Sequence, residues 1–411
     1  MEQIIFHIDV NSAYLSWSAL DKLRHGCSTD LRTIPAIIGG DMAKRHGVVL
    51  AKSIPAKSFG IATGEPIVNA LRKCPTLHIE PPDHHLYNKR SEELMRLLSD
   101  ICPDLEQVSI DECYMDYTPI KEHFSSPEAA AEHIRTRIRE QLGFTVNIGI
   151  SDRKVLAKMA SDFQKPDLTH TLYSCEIQEK MWPLPVSSLF LCGHSSVETL
   201  HKLEIMTIGD LAKCDVSILT AHLKSHGRTL WEYANGIDDS IVETEQAEAK
   251  GIGNSITLSK DATTKEEACR VLLELAESVA GRLRSTKQNA EMISVEIKYN
   301  TFQKVSHQTT MQSPTAGSDT IYRTARALFD ELWNGTPIRL LGIRSSKLVS
   351  AQEPVQISLF DLPVVQEKER GSAAHISAAK EARLEQALDS IRQKYGADAV
   401  VRGSLLHPKS D

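Results

Sequence analysis

A carboxylate follows directly on the first apolar strand of this chain, and that junction restricts the fold more than any other stretch. Ile4-Ile5-Phe6-His7-Ile8 reads as a strand that ends at Asp9. An acid in such a place is costly to bury unless it is paired or holds a cation. A second strand candidate, Gln107-Val108-Ser109-Ile110, runs into Asp111-Glu112 and continues through Cys113-Tyr114-Met115. A third, Thr145-Val146-Asn147-Ile148-Gly149-Ile150, leads into a helical stretch from about Arg153 to Phe163. Between the second and third, Ser126 caps a helix, Pro127 suits its first turn, Ala130, Ile134, Ile138 and Leu142 form its apolar stripe, and Gly143 ends it. An earlier helix covers roughly Ser91 to Ile101, with Leu94, Leu97, Leu98 and Ile101 on one face. Strands broken by helices of this size predict an α+β sheet with helices packed on one side.

The remaining chain extends this core in both directions. At 411 residues there is room for about two to four domains. Residues 13–81 form a smaller, Gly-containing unit, and 173–240 reads as helical and irregular, including two short helices around a Gly turn in the stretch 191–212. After an acidic linker at 241–250, a second compact unit is legible as β-α-β-β-α-β: a strand near 252–259, a helix 265–285 opened by the capping box Thr264-x-x-Glu267, strands 292–302 and 305–312, a helix 320–333 and a strand 338–348. In the second of these strands Ile293, Val295, Ile297 and Tyr299 alternate with Ser294, Glu296 and Lys298. The stretch 351–379 is polar and reads as extended, and a final helix runs roughly 378–395.

Two adjacent strands that each supply an acid place hard oxygen ligands close together, a setting suited to Mg²⁺. Two such ions activate a hydroxyl and stabilise a leaving pyrophosphate, the logic shared by polymerases, nucleases and cyclases. Spacing alone leaves a second reading open, in which the acids cap strand ends or pair with nearby Lys and Arg.

The surrounding residues carry a resemblance. Ser109-Ile110-Asp111-Glu112-Cys113-Tyr114-Met115-Asp116 resembles the Ser-Ile-Asp-Glu signature of the Y-family translesion DNA polymerases, and Phe6-His7-Ile8-Asp9 their first acidic motif. The run from Asn147 through Lys154, Lys158 and Asp162 to Lys165-Pro166 is similar to their third. The likeness continues through Ser53–Pro66, the hairpin at 191–212 and Ile338–Ile343, covers about residues 4–349 in the right order, and is nearest to the bacterial UmuC-like members. It implies an α+β multidomain right hand. The palm would be residues 1–12 and 82–172, small fingers 13–81, a helical thumb with a helix-hairpin-helix 173–240, a linker 241–250, the β-α-β-β-α-β little finger 251–349, and a C-terminal tail 350–411.

The resemblance also implies roles. Asp9, Asp111 and Glu112 would be the catalytic carboxylates, holding two Mg²⁺ ions, with Mn²⁺ a possible substitute, aided by the Val10 carbonyl. Tyr14 falls where the family places a steric gate against the ribose 2′-hydroxyl; its local sequence equally suits a packing tyrosine. Lys165 would meet the triphosphate as a point charge. The fingers depart from the family's Tyr-x-x-Arg, carrying Ile54-Pro55-Ala56-Lys57, so Lys57 keeps a charge without a guanidinium fork. Asn11 replaces a common acidic residue of the first motif.

In the little finger Arg282, Arg284, Lys298, Arg339 and Arg344 are candidates for template phosphates, set against the plainer reading of a solvated face that also contains Glu291 and Glu296. Gln356-Ile357-Ser358-Leu359-Phe360 resembles the bacterial sliding-clamp-binding pentapeptide, with Leu359 and Phe360 as its apolar anchors. The implied substrates are primer–template DNA and dNTPs. A catalytically silent adaptor that binds DNA and clamp is the alternative; only Ile54 and Lys57 favour it, and three retained acids oppose it. A nucleotidyl cyclase or nuclease would leave the hairpin, little finger and pentapeptide unexplained.

Composition bears on setting. With 47 Lys and Arg against 54 Asp and Glu the net charge is −7, which speaks against a generic nucleic-acid coat but not against a local basic groove. The eight cysteines contain no Cys-x-x-Cys pair and read as reduced thiols. No apolar run approaches the ~18 residues of a membrane span, and the first residues lack signal-peptide character. A monomeric cytoplasmic enzyme is expected.

Overall fold

The structure, a computed structural model, describes residues 3–41, 45, 47–245, 248–351, 368–396 and 399–403. It divides into two units, Met1–Met42 with Gly47–Gln246, and Ala43–His46 with Ala247–Asp411.

The first unit contains strands β1 (Ile5–Val10), β2 (Ala36–Gly39), β3 (Val49–Lys52), β4 (His78–Glu80), β5 (Leu105–Gln107), β6 (Glu112–Asp116), β7 (Val146–Ser151) and β8 (Thr169–Thr171). Five of them form a sheet in the order β5-β6-β1-β7-β8, antiparallel except for the β7–β8 pair. Strand geometry sends alternate side chains of β1 to opposite faces. Phe6, Ile8 and Val10 enter a core with Tyr87, Leu94 and Leu98 of helix His84–Ser99 and Ile134 and Ile138 of helix Pro127–Leu142. Ile5 packs with Ala157 on the other face, where helix Lys154–Ser161 lies and where His7 bonds Ser161. The expectation of helices on one side is therefore corrected: both faces are covered, the second by one short helix.

The second strand candidate is also corrected. The chain turns between Gln107 and Glu112, because the N–H groups of Val108 and Ser109 donate to the Glu112 carbonyl at 3.1 and 3.2 Å. The Ser109 hydroxyl donates to Asp111 Oδ1 at 2.7 Å, a side-chain bond that favours a turn over a continued ladder. What reads as one strand is a hairpin, with Asp111 in the turn and Glu112 opening β6.

Helix Ala13–Arg24 joins the central sheet to a smaller one of order β3-β2-β4: Ala13 and Trp17 lie in the central core, Leu15 and Ala19 against Ala36 and Ile38. Short helices between residues 177 and 234 pack around Leu200, Ile208, Leu211, Leu219 and Leu230. The turn between helices His194–Lys202 and Ile208–Lys213 contains no Gly; Glu204 takes its positive φ of 60° instead.

The second unit has strands β9 (Gly251–Ala262), β10 (Gln288–Tyr299), β11 (Lys304–Thr315) and β12 (Ile338–Ser350), antiparallel in the order β11-β10-β12-β9. Helices Lys265–Ser285 and Ser318–Leu332 cover the face of Ile293, Val295 and Ile297. The terminal helix begins at Lys368, not near 378, so part of the stretch expected to be extended is helical. All eight cysteines are free.

Candidate active site

Asp9 and Glu112 are directly opposed across the β1–β6 ladder, and the N–H of Val10 donates to the carbonyl of Asp111 at 3.0 Å. Backbone pairing thus brings together residues more than a hundred apart in sequence. Because Asp9 shares its face with His7, it emerges beside helix Lys154–Ser161. That helix supplies Lys158, which contacts Glu112 closely and lies 3.6 Å from Asp9 Oδ2. From the segment that follows, Lys165 donates to Asp9 Oδ1 at 3.0 Å and to Asp162 at 2.9 Å.

The electrostatics distinguish the three acids. Contact with His7, whose Nε2 is 3.5 Å away, holds the Glu112 carboxyl down to about 2; burial opposes this and the Lys158 ammonium reinforces it. Asp111 moves the other way, pushed up chiefly by burial and further by Asp9 and Glu112, although the Ser109 hydroxyl partly offsets this. No basic side chain pairs with Asp111 among the described residues. Burial keeps His7 below its usual range. It also pulls Lys165 down, but Asp9 and Asp162 outweigh it and the net direction is upward.

The donor set fits a hard divalent cation. It consists of carboxylate oxygens and the main chain at Val10, and one half-buried carboxylate has no cation of its own. The acids do not form a ready-made cage: among the described residues no three His, Cys, Asp or Glu side chains converge at metal-holding distance. Glu112 is drawn toward His7 and Lys158, and Asp9 toward Lys165.

A cleft of about 590 Å³ is lined by Asp9, Val10, Tyr14, Lys57, Asp111 and Lys165 among others, whereas Glu112 is not among its lining residues. Tyr14, in the first turn of helix Ala13–Arg24, stacks on Tyr87 with ring centroids 4.3 Å apart. Burial and the charge of Asp111 raise its phenol. Ser53 caps the short helix Ile54–Ser58 and so presents Ile54 and Lys57 to the cleft, Ile54 being 59% exposed. Lys52 lines the same wall and was not singled out from sequence; burial, then Lys57, lowers its pKa. Its lone position in a strand gave no signal.

In the second unit Arg344 is exposed on the open sheet face, beside Gly253 and Ser294. Lys298 and Arg339 both lie over the Phe302 ring, at 4.7 and 4.8 Å, and Arg282 donates to the Gly253 carbonyl at 2.9 Å. Arg284 departs from its expected role. Its guanidinium bonds Asp389 at 2.6 and 2.9 Å and the Ala316 carbonyl at 2.9 Å, with Glu385 3.3 Å away, so its donors are committed within the unit. The pentapeptide Gln356–Phe360 lies outside the described residues.

A profile of the impB/mucB/samB family matches residues 8–162, and one of the C-terminal domain of that family matches 249–359. The chain is similar to the DNA polymerase IV of Clostridium acetobutylicum, 46% identical over 99% of both chains. It is 34% identical to that of Acetivibrio thermocellus over 100% of this chain and 99% of the relative. Among solved structures, a Y-family DNA polymerase chimera is similar in fold, with a TM-score of 0.72 at 20% identity, covering 84% of this chain and 99% of the other.

Proposed function

The chain belongs to the impB/mucB/samB family and is a Y-family DNA-directed DNA polymerase; we propose that Asp9, Asp111 and Glu112 are the carboxylates at which it extends a primer. Its activity is template-directed translesion synthesis. The observation that carries the site assignment is the β1–β6 pairing, which sets Asp9 against Glu112 and ties Val10 to Asp111, with Asp9, Val10 and Asp111 lining the cleft.

Bound at such oxygen donors, a divalent cation makes a primer 3′-hydroxyl more acidic and offsets triphosphate charge. Asp9, Asp111, Glu112 and the Val10 carbonyl would hold two such ions, Mg²⁺ with Mn²⁺ as substitute. Lys165, already within reach of Asp9, offers its ammonium to the phosphates of an incoming dNTP, and Lys57 adds a second positive charge to the lining of the same cleft. Tyr14, held against Tyr87 in the lining of the cleft, would lie against the sugar and select by exclusion. Arg282, Lys298, Arg339 and Arg344 are the candidates for phosphate contacts in the little finger; Arg284 is withdrawn because its donors are spent on Asp389 and Ala316. Gln356, Leu359 and Phe360 would bind a bacterial sliding clamp. No helix among the described residues is long and apolar enough to cross a membrane, and a monomer working in the cytoplasm is the setting proposed.

Primer extension with Mg²⁺ and single dNTPs tests the reading. Template-dependent extension by the wild type, lost on the order of 1,000-fold or more in Asp111→Ala with primer–template affinity retained, is the expected result. A folded wild type that binds DNA but does not extend it would instead favour the adaptor, for which Ile54 and Lys57 would mark a lost nucleotide site.

A further inference from the structure

Lys165 sits in an irregular segment between helix Lys154–Ser161 and β8, where a backbone is ordinarily free to shift. Here it is gripped from beneath by two buried amides. Asn147 is fully buried; its Nδ2 donates to the carbonyls of Ser161 at 3.1 Å and Gln164 at 2.6 Å, and its Oδ1 accepts from the Leu168 N–H at 3.3 Å. Asn11 is 7% exposed; its Oδ1 accepts from the Asp167 N–H and the Thr145 hydroxyl, both at 2.9 Å. The two amides are joined by Asn11 Nδ2 donating to Asn147 Oδ1 at 3.1 Å. The bonds fall on both sides of Lys165, at Gln164 before it and at Asp167 and Leu168 after it. Asp167 is secured again by Arg135 at 3.1 Å and Arg139 at 2.6 Å.

We propose that Asn11 and Asn147 act as a pair of positioning residues that fix the Lys165 ammonium for the triphosphate of the incoming dNTP, an inference that rests on the proposed role of Lys165. Asn11 stands two residues beyond Asp9, so one network sets the lysine relative to the strand that carries the first carboxylate. The pairing also explains why position 11 is an amide. An aspartate there accepts from Thr145 and Asp167 as well as asparagine does, but has no proton for Asn147 Oδ1. Asn147 cannot turn over to supply one, since both of its N–H bonds are taken by Ser161 and Gln164. Two oxygens would face each other in a buried site, and the segment would move to separate them.

The test uses the full chain on a primer–template. Equilibrium affinity for the correct dNTP is measured with a 3′-deoxy-terminated primer, and KM and kcat with an extendable one, for Asn11→Asp, Asn147→Asp and Lys165→Ala. Asn11→Asp is expected to weaken dNTP binding and raise KM about tenfold while kcat and primer–template affinity stay within about twofold. In the Lys165→Ala background Asn11→Asp should add nothing, because the amides act through that side chain. Should Asn11→Asp not fold, Thr145→Val, which removes one hydroxyl donor to Asn11, is expected to raise KM about two- to threefold. Multiplicative losses in the double variant, or a lower Tm with unchanged dNTP affinity in both Asn11→Asp and Asn147→Asp, would overturn the inference. A wild type without dNTP-dependent extension would fail the underlying function reading instead, a result separable from these.

Discussion

Tyr14 shows how far a residue's meaning depends on what it touches. Its place at the start of a helix suits a packing residue, and it does pack, ring on ring, against Tyr87. The same contact holds the ring in the lining of the cleft, where burial and then the charge of Asp111 raise its phenol. Tyr14→Ala is therefore expected to increase ribonucleotide incorporation on the order of 100-fold or more, read as the ratio of kcat/KM for rNTP and dNTP. Unchanged sugar discrimination would reduce Tyr14 to a packing role. Asp9 was legible because a carboxylate after an apolar strand demands a reason. Asn11 and Asn147 were not: an amide's role is set by its partners, and these lie 136 residues apart. Arg284 failed as a phosphate ligand for a related reason. Its partners Glu385 and Asp389 come from a helix about a hundred residues downstream, which no local pattern announces.

At the scale of elements, helix Lys154–Ser161 has to lie close to the central sheet if Lys158 is to reach both Asp9 and Glu112. Gly149 in β7 permits this: a Cβ there would overlap the Ala157 carbonyl and the Ser161 amide nitrogen. Gly149→Ala is expected to cost about 2 kcal/mol or more in denaturant unfolding and to lower primer extension through the displaced lysines. Normal stability together with normal activity would show that the helix adapts at no cost. The glycine itself looks ordinary within an apolar strand, so the approach is visible only once β7 and the helix are seen packed. The hairpin at 107–112 was hidden differently. Val108 and Ile110 favour strand, no Gly, Pro or Asn marks the reversal, and the turn is held by Ser109 and by the Glu112 carbonyl. The second unit was readable in element order, because β10 alternates between a covered and an open face and Thr264 caps the first helix with Glu267.

For the molecule as a whole, an acidic chain has to act on a polyanion, and a net charge of −7 offers no general attraction to DNA. The proposed tether to a clamp would supply local concentration without relying on charge. Deleting Gln356–Phe360 is expected to abolish stimulation of primer extension by the bacterial clamp while leaving clamp-free extension within about twofold, measured as product length at limiting enzyme. Equal stimulation of the deletion variant would exclude the pentapeptide as the tether. The division of β1 between two faces has a consequence for how such a chain can vary over generations. A substitution at Phe6 or Ile8 disturbs the apolar side, and one at His7 or Asp9 the polar side, so each face can be adjusted alone. Loss or gain of one codon within these six residues would exchange the faces, sending a carboxylate among the apolar side chains and a phenylalanine toward the lysines. Inheritance can therefore edit the letters of this strand but not its length.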